Sequence, residues 1–241
     1  MKVFKRVLVK ISGEALSSQE GGVLDFSFVN HLVDQLSEVS SFCQIAVVLG
    51  GGNFFRGEGL HSLGFDRGVS DQIGMLGTLM NGMILRERLL QKGVETALFS
   101  SLQVEGVASL FEESRKADLF DKSRVVIFSG GVGQPYFTTD TAAVLWALRI
   151  NCEIVFKGTQ VDGIYNADPR LDPTASLLKS LTYQEALEKK LRVMDLTALT
   201  LAEENTLPLV VFNIKRPGGI LKALKGEPPF TWVFSEKEGV L

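Results

Sequence analysis

Apolar residues in this chain fall into two kinds of run. Short, nearly continuous apolar runs at residues 7–11, 45–49, 125–129, 154–157 and 209–214 have strand length and are rich in Val and Ile. Continuous rather than alternating, they predict strands covered on both faces. Between them, apolar residues recur at helical spacing. The spacing predicts helices over 28–39, over 71–90 with Ile73, Leu76, Leu79, Met80, Met83 and Ile84 on one side, and over 140–150. Thr139-Asp140-Thr141 supply capping residues for the last, and Asp71 stands at the start of the second. Strand–turn–helix repetition of this kind predicts an α/β fold, a mostly parallel central sheet sandwiched between helices. Pro228-Pro229 predicts a turn before a final short strand around 231–234.

The 241 residues suffice for one large core, and one domain over 1–241 is the expectation. Apolar residues make up 45% and charged residues 22%, within the range of water-soluble globular proteins. The net charge of −3 argues against a nucleic-acid or membrane-surface role. No apolar run approaches the roughly 20 residues that a membrane span needs. Lys2, Lys5, Arg6 and Lys10 leave no room for a secretory leader, so a cytoplasmic protein is expected. In that compartment Cys43 and Cys152 read as two buried free thiols. His31 and His61 lack partners at ligand spacing, so no protein-held metal is expected.

In a parallel sheet, ligands gather at the carboxyl ends of the strands. Here those ends hold Lys10-Ile11-Ser12-Gly13, Gly50-Gly51-Gly52, Gly130-Gly131 and Lys157-Gly158. Three successive glycines let backbone N–H groups approach an anion, and Arg56 can fork onto the same oxygens. Two anion-receptive ends predict two phosphorylated ligands, or one phosphoryl group passing between them. The common designs are absent. No Gly-Lys dipeptide occurs, which removes the P-loop. Gly131-Val132-Gly133 lacks the third glycine of the dinucleotide fingerprint, with Tyr136 in its place. Gly-x-Ser-x-Gly is missing too. Gly74, Gly77 and Gly82 weaken the long helix unless something packs closely on them, read here as a contact between subunits in preference to one within the monomer.

Six segments resemble, in order, the bacterial UMP kinases of the amino acid kinase family. They are Lys10 to Leu16, Gly50 to Gly57, Met75 to Gly82, Gly133 to Asp140, Val161 to Pro169 and Arg192 to Ala198. The resemblance implies the fold of that family and transfer of the γ-phosphoryl group from ATP to UMP, with Mg²⁺ accompanying the nucleotide. It also implies a homohexamer, inhibited by UTP and activated by GTP.

By the same resemblance Lys10, Arg56 and Asp140 serve the transfer. Lys10, Ile11, Ser12 and Gly13 cradle the ATP phosphates, and Gly52, Arg56, Thr159, Tyr165 and Asp168 face ATP. Gly51 meets the UMP phosphate, and Asp71 accepts from the UMP ribose. Val132, Gly133, Gln134, Pro135, Tyr136, Phe137, Thr138 and Thr139 wrap UMP. Val132 and Gln134 depart from the usual Thr or Ser and Asn of that loop. Lys157 either adds a charge to the site or ends its strand. Phe54 and Phe55 are expected to pack into the core beneath the glycine loop. Two other readings remain: a relative that phosphorylates a carboxylate, such as acetylglutamate, and a molybdenum or tungsten storage protein of the same fold.

Overall fold

A computed structural model describes residues 4–18, 21–55, 57–167, 169, 171–172, 174–191 and 193–235, the side chains of 57, 58 and 61 aside. Its elements run β1 (Arg6–Ile11), α1 (Gly13–Leu16), α2 (Phe26–Ser40), β2 (Gln44–Leu49), α3 (Gly57–Ser62), α4 (Arg67–Gln91), β3 (Thr96–Ser100) and β4 (Ser109–Leu110). They continue β5 (Val125–Ser129), α5 (Thr139–Arg149), β6 (Ile154–Thr159), β7 (Ser180–Thr182), α6 (Tyr183–Glu188), α7 (Leu196–Glu204), β8 (Leu209–Asn213), α8 (Gly219–Leu224) and β9 (Phe230–Phe234).

Among the described residues nine strands form one sheet in the order β4-β3-β5-β2-β1-β6-β8-β9-β7. All neighbours are parallel except β8 and β9. Strand parity divides the core. Val7, Val9, Ile45, Val47, Ile127 and Phe156 face α2, α4 and α8. Leu8, Ala46, Val48, Val126, Phe128 and Val155 face α5, α6 and α7. Each of the larger side chains, withdrawn from water, contributes about 1.5–3 kcal/mol. Trp146 seats α5 by stacking on Phe128, with centroids 4.2 Å apart.

All six strands expected from the sequence form, within one or two residues. The long helix begins at Arg67, not Asp71, because Asp66 accepts from the Val69 N–H at 3.2 Å and caps it. Thr138 caps α5 by accepting from the Asp140 N–H, so the cap precedes the three residues expected to supply it. Cys43 and Cys152 are buried and free. Burial raises both thiols, Cys43 to about 11.

The glycines of α4 serve contacts within the chain, which corrects the subunit reading for two of them. A Cβ on Gly77 would lie 3.1 Å from Gly51 O, and one on Gly82 would lie 2.3 Å from Ser129 Oγ. Between them, Thr78 Oγ1 accepts from the Gly130 N–H at 2.7 Å, and buried Asn81 donates to Gly50 O at 2.7 Å. One face of α4 therefore clamps two glycine-bearing strand ends.

Candidate active site

The parity that sorts the core also aims two lysines. Lys10 and Lys157 follow Leu8 and Val155 by two residues, so both point to the face that α5 covers. They are register partners on β1 and β6. The first turn of α5 brings Asp140 between them. Lys10 Nζ lies 2.6 Å from Asp140 Oδ1 and Lys157 Nζ lies 2.7 Å from Oδ2. Lys157 also donates to Val193 O at 2.6 Å. All three residues sit largely out of water, Lys10 at 6% exposure and Asp140 at 9%.

Burial alone would raise the Asp140 carboxyl, but the two ammonium groups overcome it and hold the acid at about 2. For Lys157, burial lowers the ammonium, and Asp140 offsets part of that. Asp140 Oδ1 has no other hydrogen-bond partner among the described residues. Two ammonium groups thus converge on one carboxylate at the strand ends, and the Asp195 carboxylate also acts on Lys157.

Beside this cluster the β1 and β2 ends interlock. A Cβ on Gly13 would lie 2.4 Å from Gly52 N, and one on Gly50 would lie 2.6 Å from Gly13 N. Gly51 is pinned likewise, 2.4 Å from Gly74 O. These glycines are required by close approach. Ser12 and Gly13 open α1, whereas the Ile11 side chain lies in the opposite core layer, so that only its backbone can reach a ligand. The chain then turns outward, with the Phe54 N–H bonded to Gly51 O at 3.0 Å. This lifts Phe54 and Phe55 away from the core: Phe55 is 49% exposed and Phe54 half-buried, contrary to expectation.

The 132–139 segment lies on the other side of α5's start. Asp71, five residues into α4, is no cap. Its Oδ2 accepts from the Tyr136 N–H at 2.8 Å. Tyr136 holds φ at 72°, a strained value for a bulky residue, and is 64% exposed. The Arg67 guanidinium lies 4.9 Å from its ring centroid. Strain of this kind persists where surrounding structure fixes it, commonly at ligand sites. Thr138 donates its hydroxyl to Asp195 Oδ2, which leaves it only acceptor capacity toward a ligand.

Toward β8, Thr159 spends its hydroxyl on Val161 O at 2.7 Å. Tyr165 is half-buried and bridges to Leu177. Arg216 grips Asp162 with two bonds, 2.7 and 2.6 Å, and Asn213 adds a third at 3.1 Å. Slight burial opposes them, yet these bonds hold the Asp162 carboxyl below its usual range. Arg56 and Asp168 lie outside the described residues. The structure thus unites Lys10 with Asp140 and Asp71 with the backbone of the 132–139 segment. Sequence reasoning leaves Lys157 open and gives no role to Thr78, Asn81 or Asp195, although the last three stand within the six motif segments.

Residues 5–213 match the profile of the amino acid kinase family. The chain is 44% identical to the uridylate kinases of Escherichia coli strain K12 and Shigella flexneri, over 232 residues and 96% of each chain. It is similar in structure to the UMP kinase of Ureaplasma parvum, with a TM-score of 0.92 and 35% identity, covering 98% of this chain and 100% of that one. The uridylate kinase of Archaeoglobus fulgidus is more distant, with a TM-score of 0.72, 26% identity and coverage of 94% and 99%.

Proposed function

The chain belongs to the amino acid kinase family, and we propose that it is a UMP kinase, transferring the γ-phosphoryl group of ATP to UMP to give ADP and UDP in pyrimidine nucleotide synthesis. One observation carries this reading: the 44% likeness to uridylate kinases runs over 96% of both chains, so donor rim and acceptor loop both lie within it.

Phosphoryl transfer needs alignment and charge neutralisation more than covalent help. The acceptor is a phosphate monoester with a second pKa of about 6, already ionised at neutral pH. No general base is needed, and the rim supplies none: Asp140 is held as the counter-ion of two lysines. Lys10 and Lys157 would offset charge growing on the transferring group, with Arg56 as a further cation. Amides of the Ser12-Gly13 and Gly51-Gly52 turns would hold the two phosphates end to end, the Gly50 N–H being bonded to Ile11 O. Thr159, Tyr165 and Asp168 are assigned to the ATP side, and Asp71 with 132–139 to UMP.

A divalent ion, Mg²⁺ in this reading, would ride on the ATP phosphates and neutralise their charge. Among the described residues no three His, Cys, Asp or Glu groups gather as ligands. We also assign a cytoplasmic homohexamer, inhibited by UTP and activated by GTP. Exposed Val69, Leu76, Met80 and Met83 give α4 an apolar surface suited to a subunit contact. No helix among the described residues is long and apolar enough to cross a membrane.

A coupled assay of ADP release with UMP, CMP and acetylglutamate as acceptors tests the reading. Turnover with UMP far above the other two is expected. Turnover confined to CMP or acetylglutamate, or none, would overturn it.

A further inference from the structure

Asp195 caps α7, and a cap needs only one carboxylate oxygen: Oδ1 accepts from the Ala198 N–H at 3.0 Å. The side chain does more. Oδ2 accepts from Thr138 Oγ1 at 2.5 Å, and Thr141 Oγ1 lies 3.1 Å from both oxygens. Thr138 passes the constraint on, because its own oxygen accepts from the Asp140 N–H at 3.0 Å. Two residues before Asp195, the Val193 carbonyl receives Lys157 Nζ. The 193–195 segment thus touches the lysine cluster through its backbone and the end of the acceptor loop through its one carboxylate.

We propose that Asp195 is a positioning residue: by holding Thr138 and Thr141 it sets the acceptor loop and Asp140 in one register, without itself meeting substrate. This rests on the UMP kinase reading for the identity of the acceptor. A carboxylate is the fitting group here, since it accepts up to four bonds and donates none. Two hydroxyls and one amide N–H converge on it. Thr141 is 5% exposed, so its hydroxyl has little recourse to water if Asp195 is lost.

Thr141→Val keeps the branched shape and the α7 cap but deletes one bond. Asp195→Asn keeps the cap acceptor but replaces one accepting oxygen with a donor. Asp195→Ala removes everything. The expected result in Thr141→Val and Asp195→Asn is a KM for UMP raised on the order of tenfold, a lower kcat and an unchanged KM for ATP. A lower Tm with both KM values and kcat as in wild type would reduce Asp195 to a helix cap and overturn the proposal. Should wild type fail to use UMP, the acceptor reading falls, and amide hydrogen exchange of the ligand-free protein decides the positioning role. Faster exchange confined to residues 133–142 in Thr141→Val would uphold it. Unchanged exchange there would overturn it.

Discussion

Lys10 and Lys157 stand directly opposite each other on adjacent parallel strands and share a single carboxylate, that of Asp140. Neighbouring strands lie about 4.8 Å apart, so without a counter-ion the two ammonium groups would repel each other inside the fold. The sheet sets their spacing and α5 supplies the anion. The rim is therefore preorganised before any ligand arrives.

Lys157 is held from two sides, by Asp140 and the Val193 carbonyl. Lys10 is tied to Asp140 alone among the described residues, so of the two ammonium groups it has the fewer protein partners to give up for a phosphoryl oxygen. Lys10→Met is expected to lose about 10²–10³-fold in kcat, with the KM for UMP little changed. Steady-state kinetics with both substrates varied checks this. Turnover close to wild type would remove Lys10 from the transfer step.

The acid limb of stability should carry the Asp140 signature. Its folded value of about 2 lies below the ordinary 3.8, so the carboxylate contributes stability above pH ~4 that is lost as pH falls through the folded value. A tenfold change in proton affinity is worth roughly 1.4 kcal/mol, which makes the contribution about 2 kcal/mol. Urea unfolding at pH 5, 3 and 2 should show this loss in wild type, and a smaller one in Asp140→Asn, which starts from lower stability. Parallel losses in the two proteins would contradict it.

What is legible in the sequence follows the size of each signal. β1, β2, β5, β6 and β8 are buried on both faces and announce themselves as nearly continuous apolar runs. β4 and β7 have two and three residues at the sheet edges, too short for any period. β3 offers only Ala97, Leu98 and Phe99 between polar ends. At the site, Lys10 and Asp140 are readable because each sits beside a turn motif. The role of Lys157 depends on register across two strands, and that of Asp195 on a contact spanning 57 residues to Thr138. Neither leaves a local pattern. The glycines of α4 mislead for a different reason: their spacing shows that something comes close and not which chain supplies it.

Gly51 and Gly74 face each other across that contact yet differ in what a methyl group would meet. Gly51→Ala would drive a Cβ to 2.4 Å from the Gly74 carbonyl oxygen, a backbone atom that cannot swing aside, and should cost about 1–3 kcal/mol. Gly74→Ala meets nothing within 4 Å and should gain up to about 1 kcal/mol from helix propensity. Thermal melts of the two variants should move in opposite directions. Destabilisation by Gly74→Ala would place a second subunit against that position.

Both thiols should be silent in the folded protein. Burial raises them, Cys43 to about 11, so the reactive thiolate is scarce at pH ~8. A thiol reagent is expected to titrate neither under native conditions and both in denaturant. Rapid native labelling of either would mean that its packing opens readily.

Asp71 is asked to do two things, and a substrate lacking one hydroxyl separates them. Its Oδ2 already holds the Tyr136 N–H in the strained 132–139 stretch, and Oδ1 takes no part in that bond. If Oδ1 accepts from the 2′-hydroxyl of UMP, wild type should prefer UMP over dUMP, since a hydrogen bond to a charged group is worth about 1.5–3 kcal/mol. Asp71→Ala should then lower kcat/KM for UMP about 10–100-fold more than for dUMP, and the preference should collapse. If Asp71 only latches Tyr136, both substrates suffer alike and the preference survives. The ratio of the two kcat/KM values reads out the ribose contact while the loss common to both reads out the latch. A preserved ratio would assign Asp71 to the loop alone.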